Sequence, residues 1–168
     1  GDSALKVLQT GGPLGGVLNS NSLDIILDFD KMASEGAILG SGGIIVGNTD
    51  RSVVDLTRLL VTFCQYESCG KCFPCRLGTS QLLELMERLT RFDATEQDLE
   101  TCEKIGDAMK VGSLCGHGQL GFNPIKSALQ HFPDEFKYYL DKAKYHLKTE
   151  SVIKEKYFVP QNSRSYGK

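Results

Sequence analysis

A chain of 168 residues can bury one moderate hydrophobic core or two small ones. Its 24% charged and 40% hydrophobic residues are ordinary for a globular protein, and a formal charge of −2 without a long basic run gives nucleic-acid or membrane-surface binding no electrostatic support. No apolar run approaches the roughly 20 residues that span a bilayer, and Gly1-Asp2-Ser3 carries neither the basic nor the apolar region of an export signal.

The fold class that the chain order predicts is α+β. Ten of the 18 glycines stand at or before Gly47, so residues 1–49 read as turns and short strands. Leu5–Gln9 is a predicted strand running into the glycine-rich Gly11–Gly16. Asp24–Phe29 is a second apolar run of strand length. One or two helical turns follow over 29–36, with Asp30 as cap and Gly36 as stop. Gly40–Gly43 then leads into Ile44-Ile45-Val46, a β-branched strand. Neither glycine cluster spells a dinucleotide or P-loop fingerprint, so structural turns are the better reading.

From Asp50 the period becomes helical. Val53, Leu56, Leu59, Leu60, Phe63 and Cys64 share one stripe, predicting an amphipathic helix over 52–65. A second helix, after Gly78, carries Leu82, Leu85, Met86 and Leu89. Thr95 caps a third with Asp98 as its capping-box acid, and Gly112 ends it. The fourth begins at Pro124, and Pro133 kinks or restarts it before Phe136 and Leu140. Four short helices over 50–147 predict a bundle. The end of the chain, from 148 and most plainly from Tyr157 to Lys168, reads as a polar tail.

Chemistry concentrates in Glu67-Ser-Cys-Gly-Lys-Cys-Phe-Pro-Cys-Arg-Leu-Gly78. Cys69, Cys72 and Cys75 recur every three residues, and Cys115 stands far downstream in Gly112-Ser-Leu-Cys-Gly116. Four thiolates, three on one loop and one distant, match the needs of a [4Fe–4S] cluster. The competing reading is a zinc ion stapling a helical interaction module; zinc sites more often use paired Cys-x₂-Cys knuckles, whereas here two spacings share a middle residue. Metal-serving reduced thiols suit the cytoplasm better than a disulfide framework does. Gly70 would let the loop turn and aim N–H groups at sulfur. Lys71 and Arg76 are either cluster-tuning charges or solvated surface. Phe73 and Pro74 would shield and stiffen the loop, and a helix starting near Pro124 could point its positive end at the metal. Cys64 and Cys102 lie on apolar stripes and read as core, and His117 as a neighbour of the metal or as surface.

The Glu67–Gly78 motif resembles the iron–sulfur motif of the NADH-oxidising flavoprotein subunit of NADH dehydrogenase. Gly112-Ser-Leu-Cys-Gly-His-Gly-Gln-Leu-Gly-Phe-Asn-Pro124 is similar to the fourth-ligand segment, with Cys-Gly-x-Gly-Gln and Asn-Pro details closer to NAD(P)-linked hydrogenase and formate dehydrogenase subunits. The resemblance runs from about Gly11 to about Leu140. It implies that 1–49 is the latter part of a soluble-ligand-binding β-grasp domain, as in a piece cut from a longer chain. It also implies an electron relay: NAD(P)H reduces FMN on a preceding domain, and single electrons pass through this cluster to further iron–sulfur subunits. No flavin or nucleotide fold precedes Gly11, so FMN and NAD(P)H are expected in the parent enzyme and not on this chain.

Overall fold

The computed structural model describes residues 4–157. Strand β1 (Leu5–Thr10) is the centre of a three-stranded antiparallel sheet, flanked by β2 (Val17–Asn19) and β3 (Ile44–Asn48). Leu8 pairs with Leu18 on one side and with Val46 on the other, and the β1–β3 ladder is irregular between Leu5 and Val7. Side-chain alternation splits this small sheet between two cores. Val7 and Val17 join the main core, while Leu18 packs with Met32 and Ala37 in a satellite on the opposite side. The outer edge of β3 has no strand partner among the described residues, and Ile44, Ile45 and Val46 are all exposed.

Two expectations for this half fail. Asp24–Phe29 forms no strand: it is a run of turns and bends with Ile26 and Leu27 exposed, ending where Asp28 caps α1 (Phe29–Ser34). The Asp28 carboxylate accepts from the Lys31 N–H at 2.7 Å, so the cap lies before the expected Asp30. The missing strand is β2, three residues directly after the glycines, held at its start by a 2.9 Å hydrogen bond from the Val17 N–H to Ser127 Oγ. Gly36 does stop α1, at a φ of 75° that a side chain would resist.

The helical part comprises α2 (Val53–Tyr66), α3 (Phe73–Thr90), α4 (Glu96–Gly112), the short α5 (Gly116–Leu120), α6 (Asn123–His131) and α7 (Pro133–Tyr157). Pro133 restarts the chain as a separate helix: Phe132 leaves helical geometry at φ −137°, ψ 45°. Five longer helices therefore replace the expected four. Helix α7 also carries helical backbone to Tyr157, where the polar tail was expected from 148; the rest of that tail, 158–168, lies outside the described residues.

Asp98 accepts from both the Thr95 N–H (2.7 Å) and its hydroxyl (2.9 Å), which fixes the start of α4 as expected. Leu60, Val61, Leu82, Met86, Leu89, Cys102, Met109, Ile125, Ala128 and Phe136 fill one core between the helices, continuous with Val7 and Val17 of the sheet. In α2 the buried stripe is rotated from the expected one. Val54, Thr57 and Val61 face inward, whereas Leu59 and Phe63 are exposed. Helix α2 has neighbours on two sides, and a single-stripe reading could not tell which flank each would cover.

Candidate metal centre

Helix α2 ends at Tyr66 and delivers the chain to the loop Glu67–Cys72. Gly70 turns that loop with a φ of 72°. The exposed Arg76 side chain returns to clamp it, donating from Nη1 to the Gly70 carbonyl at 2.8 Å. Helix α3 then starts at Phe73, not after Gly78, so Cys72 is its N-cap and Cys75 lies in its first turn. Pro74 was the available signal, since proline is favoured in a first helical turn.

Cys115 arrives from the other side as the N-cap of α5. Cys69, Cys72, Cys75 and Cys115 thus line one open pocket of about 370 Å³, completed by Phe63, Glu67, Lys71 and His117. All six cysteines of the chain are free thiols. Close approach of α5 to α3 depends on Gly118: a Cβ there would fall 2.5 Å from Ser113 Oγ and 2.8 Å from Cys75 Cβ. Among the described residues, no three His, Cys, Asp or Glu side chains group tightly enough to hold a single metal ion.

The pocket's electrostatics follow from this construction. Two helix N-termini, those of α3 and α5, carry pocket cysteines as their caps, and that end of a helix favours negative charge. No residue of α6 lines the pocket; its first residue, Asn123, donates from Nδ2 to the Leu14 carbonyl at 3.0 Å. The Leu114 backbone N–H is the main cause that draws the Cys72 thiol below its ordinary pKa. Burial drives Cys75 the other way, opposed by Ser68, whose Oγ lies 3.3 Å from the Cys75 sulfur. The thiols of Cys72, Cys115 and Cys69 lie near enough to Cys75 to raise it further.

The remaining sequence candidates separate cleanly. Cys64 and Cys102 are buried, and burial pushes each thiol up to about 12. His117 faces the pocket and donates from Nε2 to the Cys64 carbonyl at 2.8 Å, tying α5 to α2. Lys71 lines the pocket; Arg76 acts on the loop backbone instead. Phe73 is exposed and does not line the pocket; the aromatic residue that does is Phe63, itself partly open to solvent. Ser68 and Ser113 beside the thiols were not singled out by sequence reading, because single serines carry no spacing signal.

Residues 55–139 match the family model described as the NADH-ubiquinone oxidoreductase-F iron-sulfur binding region. The chain is 38% identical over 141 residues to the NADP-reducing hydrogenase subunit HndC of Solidesulfovibrio fructosivorans, covering 84% of this chain and 29% of that protein. It is 33% identical over 132 residues to a subunit of the NADH-quinone oxidoreductase of Mycobacterium tuberculosis (strain ATCC 25618 / H37Rv), covering 79% and 30%. Among solved structures, an NAD+-reducing [NiFe]-hydrogenase in the air-oxidized state superposes with a TM-score of 0.75 at 29% identity, over 82% of this chain and 24% of that one. The chain therefore spans less than a third of the length of these relatives. With the motif, the pocket and the matched region coinciding, the chain belongs to the NADH-ubiquinone oxidoreductase-F iron-sulfur binding family.

Proposed function

We propose that Cys69, Cys72, Cys75 and Cys115 ligate one [4Fe–4S] cluster, and that the chain is the electron-relay module of an NAD(P)H-linked oxidoreductase. The observation that carries the reading is the meeting of all four sequence-selected thiols around one pocket far larger than a single ion needs. The donor set fits: four thiols are the full complement for a cubane, and two of them cap helix N-termini that favour an anionic group. When bound, such a cluster takes up and releases one electron at a time.

The chain's own residues supply the setting. The loop turned by Gly70 and clamped by Arg76 holds Cys69 and Cys72, α3 presents Cys75, and α5 brings Cys115. Four cysteine ligands leave no iron open for substrate, which suits relay over catalysis. Splitting the electron pair of NAD(P)H falls in many enzymes to a flavin, and we place FMN and NAD(P)H on a preceding domain of the longer parent protein. Residues 1–49 are then the latter part of a β-grasp domain, 50–147 the cluster domain and 148–168 its extension. The partners are the flavin domain and subunits with further iron–sulfur clusters. We assign the module to the cytoplasm, in keeping with reduced thiols; no helix among the described residues is long and apolar enough to cross a membrane.

Anaerobic reconstitution tests the reading. The expected result is about four iron and four sulfide per chain, with broad absorption that bleaches on dithionite. Cys115→Ala should lose the cluster or keep only a three-ligand form. One zinc per chain, or a full wild-type spectrum in Cys115→Ala, overturns it.

A further inference from the structure

One serine hydroxyl sits against a pocket thiol, and a second lies buried beside the residue that carries that thiol. Ser68 Oγ lies 3.3 Å from Cys75 Sγ and accepts from the Gly70 N–H at 3.4 Å. That acceptor role turns the hydroxyl hydrogen away from Gly70 and leaves the sulfur as its partner. Ser113 is only 6% exposed, and its Oγ is fully buried without a hydrogen-bond partner among the described residues. Its backbone is already used: the N–H donates to the Met109 carbonyl at 3.0 Å, and its own carbonyl accepts from Gln119 Nε2 at 3.1 Å. A buried hydroxyl left unmatched is costly, and such groups call for an explanation. Gly118, the residue whose lack of a side chain admits Ser113 Oγ, also borders the Cβ of Cys75.

We propose that Ser68, donating its O–H to the sulfur of Cys75, and Ser113, whose unpartnered hydroxyl is buried beside the same cysteine, are positioning residues for the metal centre and so set its reduction potential. The physical reason is charge. Reduction adds one electron to the anionic centre without making or breaking a bond, and donors aimed at sulfur stabilise the added charge. The inference rests on the cluster reading. It goes further by naming hydroxyls, on the loop before α3 and at the end of α4, whose chemistry no spacing rule reveals.

The test uses the full chain, anaerobically reconstituted, as Ser68→Ala, Ser113→Ala, the double variant, and Ser68→Thr and Ser113→Thr. Iron and sulfide content is measured first; wild type without a cluster would sink the parent reading and this inference with it. Midpoint potentials then follow from EPR-monitored redox titration. Each Ala variant with full iron content should fall in potential, the pair together by at least a tenfold change in the reduced-to-oxidised ratio, equivalent to about 59 mV for one electron. Thr, which keeps the hydroxyl, should restore the wild-type value at either site. Should Ser113→Ala fail to hold iron, Ser68→Ala and the exchangeable-proton couplings of wild type in D₂O still decide. Cluster-replete Ala variants with wild-type potentials, or a wild-type centre without exchangeable hydroxyl couplings, overturn the proposal.

Discussion

Burial holds the Cys64 and Cys102 thiols up at about 12, while hydrogen bonds draw that of Cys72 down. Thiolate is the reactive form, so access and ionisation act together. In the folded, metal-free chain, iodoacetamide at about pH 8 should label Cys72 and spare Cys64 and Cys102, as read by peptide mass spectrometry. Labelling of Cys102 at the rate of Cys72 would contradict the packing. The raised pair also has a thermodynamic sign. Their ordinary pKa is 9.0, so the unfolded chain ionises above that pH while the folded chain stays protonated to about 12. Stability from these two sites is present below about pH 9 and drains away as pH climbs towards 12. Urea midpoints should drop between about pH 8 and pH 10, less steeply in Cys102→Ala. At this scale the four thiols that line the pocket were legible, because thiol spacing is a local property. Ser68, Ser113 and the helix N-termini at the pocket were not, since they acquire meaning only when α3 and α5 converge.

Helix α2 begins with a cap borrowed from a distant element. Glu135, near the start of α7, accepts from the Ser52 hydroxyl at 3.0 Å and from the Val53 N–H at 2.6 Å, and its second oxygen pairs with Lys6 of β1 at 2.7 Å. Ser52 itself accepts from the Asp55 N–H at 3.1 Å. One carboxylate thereby joins β1, α2 and α7 and satisfies helix-start donors that would otherwise be orphaned. Charged hydrogen bonds of this kind and the loss of a cap put the cost of Glu135→Gln at roughly 1–3 kcal/mol. Equilibrium urea unfolding should show the lower midpoint with an unchanged slope; a wild-type midpoint would mean that Ser52 caps α2 unaided. Elements with local punctuation were readable in advance: Thr95 with Asp98 starts α4, and Gly36 stops α1. Strand β2 was not, because three residues cannot display alternation and its anchor, Ser127, is contributed by α6. The inner face of α2 was misread at Leu59 and Phe63 for the same reason, that neighbours on other elements choose the buried stripe.

On the scale of the whole molecule, sheet and helices share one core through Val7 and Val17, so the half without cysteines still steadies the half that holds them. The same sheet leaves the outer edge of β3 open, with Ile44, Ile45 and Val46 exposed at 45%, 59% and 63%. Three successive apolar residues face both sides of the strand, the pattern of an interior strand, with no lysine or proline to blunt the edge. The unused N–H and C=O groups of such an edge template further strand pairing. This strand then governs association of the isolated chain: sedimentation velocity should show association that grows with concentration, and Ile45→Lys should return a monomer. A variant that associates as before would clear β3 of the charge.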